Sequence, residues 1–299
     1  MEALLEACVR LAIPLLLAAL GELVIERSGV INIGVEGTML VGAFVGFAVG
    51  VQLGSPGLGM LAAALAGASV GLVFAFFVLV RLADQIVVGT AVNLLALGST
   101  GLAARALWEG AIPTGQTVAT WTIPGLSAIP WIGPAFFAQG PHAYLAFALA
   151  PLVAWFLVRT RPGLQLRAVG ESARAADAEG VPVRGMRLAA ILFGTAVMGV
   201  AGSMLSLSLS NTFTEGMTAG RGFIALTVVI FARWSPIGAV GAALFFGAAV
   251  AAQHRLQAMG TAVPYQLTLM LPYVLTLLVL ALASRRSAGP ADLGQPFSR

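Results

Sequence analysis

The sequence contains no lysine, one cysteine and two histidines in 299 residues, and charged side chains make up only 9% of it. A soluble chain usually carries about 25% charged residues. Beside a hydrophobic share of 59% and a mean hydropathy of +0.95, a deficit of that size leaves lipid as the solvent. Cys8 stands alone in an apolar run, which excludes a disulfide framework. The patterns HExxH, CxxC and the P-loop are absent, and His142 and His254 stand isolated at span ends without a carboxylate at catalytic or metal-ligand spacing. Neither enzyme chemistry nor a metal or cofactor is expected in this chain. Mid-span acids are scarce, which disfavours a carrier driven by protons or sodium, whose relays need ionisable groups paired inside the membrane.

A chain in lipid must satisfy its backbone internally, and apolar runs of about 20 residues select helices over a barrel. The expected fold is all-α and polytopic, with about nine spans near 4–24, 34–53, 57–80, 85–107, 142–160, 188–210, 221–233, 236–253 and 266–283. They form one membrane domain over 1–285. The seventh span, GRGFIALTVVIFARW, is too short to cross comfortably and reads as a broken or re-entrant element. Glu2 and Glu6 stand where a signal peptide would be basic, so the first apolar run is expected to be retained as a span.

All 16 basic residues are arginine. Six of them (159, 161, 167, 174, 184 and 187) fall in one inter-span segment, and Arg285, Arg286 and Arg299 lie in the tail, 286–299. Segment 108–141 has no basic residue but holds Trp108, Trp121 and Trp131. Arginine-rich segments belong in the cytoplasm and the tryptophan-rich loop outside, at an aromatic interface. With nine crossings the C-terminus is then inside and the N-terminus outside, and the Glu26–Arg27 end of the first span lies near cytoplasmic water. The same placement of charge in loops argues against nucleic-acid binding despite a pI near 10.2.

Glycines at four-residue spacing, in GVEGTMLVGAFVGFAVG and GMLAAALAGASVG, read first as close helix packing. Few polar groups remain inside the spans. Among them Asn32, Glu36, Thr38 and Asn93 are expected near a solute path, with Phe44 or Phe223 available to stack on a base. Packing uses account for the same residues: an interhelical hydrogen bond for Asn93 and core filling for the two aromatics. In the arginine-rich segment, 171–179 predicts a short helix stopped by Gly180 and Pro182. Asp177 and Glu179 lie at its C-terminal end, where the helix dipole disfavours anions, so it is expected to dock on a partner offering cations.

The blocks ERSGVINIGVEGTMLVGAF (26–44), VVGTAVNLLALG (87–98), LRAVGESARAADAEGV (166–181) and GRGFIALTVVIFARWSPIGAVGAALFFG (220–247) carry a resemblance. They are similar to the permease subunits of bacterial ABC importers of the ribose and branched-chain amino-acid class. Within it they most resemble the shorter permease of purine-nucleoside-type systems. The resemblance covers roughly 15–285. It implies an inner-membrane importer subunit forming half of the path for a small uncharged polar solute, most naturally nucleosides. Simple sugars or branched-chain amino acids are the alternative. Its implied partners are a second, related permease, a cytoplasmic ATPase that binds the ATP and magnesium, and an extracytoplasmic binding lipoprotein. Segment 161–187 corresponds to the coupling loop that sits on the ATPase, with Arg167, Gly170, Glu171, Arg174, Asp177, Glu179 and Gly180 at the contact. Longer members of the class begin with an additional helix not seen here. An ion-coupled carrier with a broken helix at 220–236, an intramembrane enzyme using Glu22 or Glu36, and a non-transporting scaffold remain as rival readings.

Overall fold

The computed structural model describes residues 2–109, 111–115, 118–130, 132–259, 265–283 and 289–298. Trp131, Arg285, Arg286 and Arg299, used above to orient the chain, lie outside them. The chain is helical almost throughout. Helix α1 (Glu2–Arg27) is followed by α2 (Val35–Gln52) and by α3 (Pro56–Ala75), which a π-helical turn extends to Val80. Helix α4 (Gln85–Trp108) leads into the loop that was expected outside. There a two-residue β1 (Trp121–Thr122) pairs antiparallel with β2 (Ala138–Gln139), on either side of the short α5 (Ile132–Phe137). Helix α6 (Pro141–Arg159) returns across the bundle to α7 (Arg161–Glu171) and α8 (Ala173–Ala178). Then come α9 (Val183–Met204, with a π-turn to Leu209), α10 (Arg221–Phe231), α11 (Pro236–Ala258) and α12 (Tyr265–Ala283). Among the described residues, seven helices are long and apolar enough to span a membrane, beside the shorter apolar α10 and the apolar α12.

Helix α1 is the buried axis of the bundle, enclosed from Ala12 to Glu26 by α9, α10, α11 and α6. Beside it, α2, α3 and α9 pack on each other through small residues. Gly199 of α9 sits where α2 and α3 both arrive. A Cβ there would strike the Ala63 carbonyl and lie 3.2 Å from the Gly67 Cα, and one on Gly42 would strike Gly199 in turn. In lipid, where apolar transfer gives helices little reason to associate, such backbone approach is the source of packing energy.

The seventh crossing is broken, as its length suggested. The π-turn ending α9 releases the chain at Ser210, and residues 210–220 run beside α4 without helical structure. Phe213 packs by Trp108 at the end of α4, and Glu215 pairs with Arg105 one turn further in. A Cβ on Gly216 would lie 3.6 Å from Leu97, further in again. Helix α10, about 16 Å long by its 11 residues, completes the crossing and delivers Trp234 to the end of α1.

Two expectations need correction. Arg27 donates to the Trp234 carbonyl from Nη2 at 2.8 Å, and the buried Glu26 carboxylate accepts from the Trp234 indole. Glu26 is therefore enclosed by protein rather than set near water, while Arg27 is only half-buried. The single helix expected at 171–179 is two helices. Thr160 caps α7, accepting from Gly163 N, and Ser172 breaks the chain and caps α8, accepting from Ala175 N. Glu171 and Arg174 consequently belong to different helices. Gly180 does stop α8, with φ +83°. Its N–H reaches the Asp177 carbonyl, and that of Val181 reaches Ala176, the paired bonds of a Schellman end.

Candidate functional site

The site is assembled where the start of α2 meets the middle of α4 and the break before α10. Glu36, in the first turn of α2, turns its carboxylate onto the N-terminus of α10. Oε1 accepts from Gly220 N and Oε2 from Gly222 N, both at 2.7 Å. Those amides have no partner inside their own helix, and the positive end of the helix dipole favours an anion there. Gly220 takes φ +81°, which a side chain resists, and a Cβ on Gly222 would lie 2.5 Å from the Glu36 amide. The glycines around α10 are thus the condition for the clamp.

Asn93 holds the other side. Its Oδ1 accepts from Gly37 N at 2.7 Å and its Nδ2 donates to the Ile33 carbonyl at 3.0 Å, tying α4 to the start of α2. From α12, the Tyr273 hydroxyl donates to the Ala219 carbonyl at 2.8 Å, steadying the same break.

These elements bound a cavity of about 360 Å³, lined among others by Glu36, Thr90, Asn93, Thr218 and Phe223. Phe223 is 47% exposed and presents its ring there. The volume lies within the range of small-molecule sites, about 300–1,000 Å³. The Glu36 carboxylate and the Asn93 amide are already occupied by backbone, so neither is free to bind a solute.

Of the six residues expected near a path, the structure gathers Glu36, Asn93 and Phe223 around this cavity. The other three do not line it. Asn32 is buried in the α1–α2 turn: its N–H donates to Glu22 Oε1, its Oδ1 accepts from Gly34 N, and its Nδ2 lies 3.7 Å from Met198 Sδ. Thr38 returns its hydroxyl to the Gly34 carbonyl. Phe44 packs edge-on between Trp108 and Phe213, with ring centroids at 5.7 and 5.4 Å. Reasoning from the sequence missed Thr90, Thr218 and the bidentate Arg105–Glu215 pair (2.8 and 2.9 Å). Thr90 was visible as an intramembrane polar group. The pair joins residues 110 positions apart and left no local signal.

The cavity sits under a face the chain does not cover. Leu94, Leu95 and Leu102 of α4 are more than 60% exposed, and Thr90, Gly98, Ser99, Arg105 and Glu215 are exposed as well. Beside the α1–α2 turn, Arg167, Glu171, Arg174, Glu179 and Gly180 are exposed on α7–α8, with Asp177 half-buried. Gly170 is buried, its Cα side set against the Arg27 carbonyl.

Residues 4–280 match the family model described as branched-chain amino acid transport system / permease component. The chain belongs to this family. It is 39% identical to the guanosine ABC transporter permease protein NupQ of Bacillus subtilis, over 96% of this chain and 93% of that one. A putative glucose ABC transporter permease protein of Haloferax volcanii, TsgC13, is 38% identical over 99% and 97%. The nucleoside ABC transporter permease protein NupC of Lactococcus lactis is 35% identical over 93% and 90%. This is a multi-pass ABC-type permease.

Proposed function

We propose that this permease forms one half of an ATP-driven import path whose solute is a nucleoside, and that the path runs along the uncovered face of α4 and residues 214–223. The observation that carries this is the set of polar groups exposed on α4 and the unwound segment: Thr90, Ser99 and an Arg105–Glu215 pair lie open near an aromatic-flanked cavity. Polar and ionised groups facing hydrocarbon are costly, so such a face belongs against water or against a second protein. A second, related permease closing over it would turn two open faces into one enclosed channel. Threonine hydroxyls and carbonyl oxygens suit an uncharged polar solute that must bind weakly enough to leave. The names of NupQ and NupC favour nucleosides, and that of TsgC13 keeps a sugar as the second reading.

In this reading α7–α8 sits on a cytoplasmic ATPase, which binds ATP and magnesium and does the hydrolysis. Arg167, Glu171, Arg174 and Glu179 supply its contact surface, and an extracytoplasmic binding protein delivers the solute. The C-terminus is cytoplasmic and the N-terminus outside, in the inner membrane. A fluorescent-protein fusion that matures only in the cytoplasm, placed after Arg299, is expected to light up. A dark, fully expressed fusion would reverse the orientation. The solute is tested by reconstituting the complex and measuring hydrolysis with guanosine, adenosine, glucose, ribose and leucine, each on the binding protein. Stimulation by a nucleoside is expected, and stimulation by glucose alone would transfer the assignment to sugars.

A further inference from the structure

In the tail, residues 289–297 fold back onto the bundle. Asp292 sits in the elbow between α7 and α8. Its amide donates to the Gly170 carbonyl of α7 at 2.9 Å, and its carboxylate Oδ2 accepts from Ala173 N of α8 at 2.7 Å. One residue, 119 positions away, thus satisfies one free backbone group on each helix. Helix α8 has six residues, too few to stand alone, so the angle between the two helices depends on this outside contact.

The strap is anchored on both sides of Asp292. Gly294 N donates to the Gly29 carbonyl at 3.0 Å, in the α1–α2 turn. Arg187, in α9 and only 1% exposed, donates from Nε to the Ser28 carbonyl at 3.2 Å and from Nη1 to the Gln295 carbonyl at 3.0 Å. Phe297 packs on Val169, Ala173, Ala176 and Val183, which closes a small apolar cluster of its own. Seven residues after Gly29 the chain reaches Glu36, whose carboxylate holds the break before α10. The α7–α8 elbow and the wall of the cavity are therefore joined through the strap and one short turn.

We infer that Asp292 and Arg187 are positioning residues for energy coupling: the strap keeps the α7–α8 elbow in register with the α1–α2 turn, so movement received at the elbow reaches the cavity. This rests on the importer reading above. Spatial continuity alone does not demonstrate coupling, so the readout must be coupling itself. In the complete complex in liposomes, ATP hydrolysed per solute taken up should rise about tenfold for Asp292→Ala. It should stay near the parent value for Asp292→Asn, whose amide oxygen still accepts from Ala173 N. Phe297→Ala should fall between them. In the full permease, deuterium exchange of the 170–178 amides should accelerate about tenfold for Asp292→Ala, with the spans unchanged. An Asp292→Ala complex coupled like the parent would overturn the inference, as would unchanged exchange at 170–178. If Asp292→Ala fails to assemble with the ATPase, exchange confined to 170–178 supports the positioning role, whereas acceleration through the spans makes the strap a stability element only and overturns it. A parent complex whose hydrolysis no solute stimulates would count against the importer reading, and the exchange result would still judge the strap.

Discussion

Glu36 and Asn93 were visible in the sequence as polar groups too costly to be idle in lipid, yet nothing local says what they hold. Their partners are backbone: the amides of Gly220 and Gly222 for Glu36, and Gly37 N with the Ile33 carbonyl for Asn93. Hydrogen bonds to a charged group are each worth about 1.5–3 kcal/mol. Glu36→Ala, which orphans two partly buried donors, should cost about 2–4 kcal/mol in the unfolding of the purified permease and abolish uptake. Glu36→Gln keeps one acceptor aimed at α10 and should fall between. Equal stability of all three proteins would mean that the clamp contributes nothing. Phe223 is a different kind of residue, because its ring is exposed at the cavity and supports little else. Aromatic stacking on a base is worth about 1–3 kcal/mol. Phe223→Ala should therefore raise the KM for nucleoside uptake about tenfold while leaving the unfolding transition in place. An unchanged KM would remove the ring from the path. Asn32, Thr38 and Phe44 looked equivalent in sequence, and only their neighbours show that packing and turn hydrogen bonds already occupy them.

At the scale of elements, hydrophobic run length and charge placement located the spans closely, because a bilayer imposes nearly the same length on every crossing. Helix α7 escaped. Its start signal was there, in Thr160 and Pro162, and so was its buried spacing at Leu166 and Val169. Gly163 and Gly170, however, carry the lowest helix propensity short of proline. They are helical because other backbone passes too close for a side chain: the Phe156 carbonyl at Gly163 and the Arg27 carbonyl at Gly170. The same reasoning applies to Gly199. Gly199→Val forces bulk between three helices, and overpacking costs typically about 1–3 kcal/mol or more. The variant should reach the membrane poorly and unfold earlier, whereas Gly241→Val, with nothing within 4 Å of its Cβ position, should behave like the parent. Thermal unfolding in one detergent compares the two directly. Gly180→Ala must place a Cβ at φ +83°, for about 1–2 kcal/mol, and should show first as faster exchange at the end of α8.

For the whole molecule, the open face of α4 is the feature that a single chain leaves incomplete. The Arg105–Glu215 pair pins the unwound segment to α4 on that face. If the pin and not the individual charges matters, Arg105→Glu should impair uptake and co-purification of the second permease, and adding Glu215→Arg should restore both. A double variant as poor as the single one would assign Arg105 a contact beyond this chain. What the sequence determined by itself was the solvent, the position of the apolar helices, the shortness of the seventh, and the glycine spacing on which α2 and α3 pack. All of these follow from composition and spacing, which lipid reads locally. The tertiary structure decided which polar groups are spent on clamps, where a cavity remains, and that the tail returns to hold the α7–α8 elbow. Those outcomes depend on backbone amides and carbonyls distant in the chain, 56 positions away for Asn93 and 184 for Glu36, groups that nearly every residue carries and that no side-chain pattern announces.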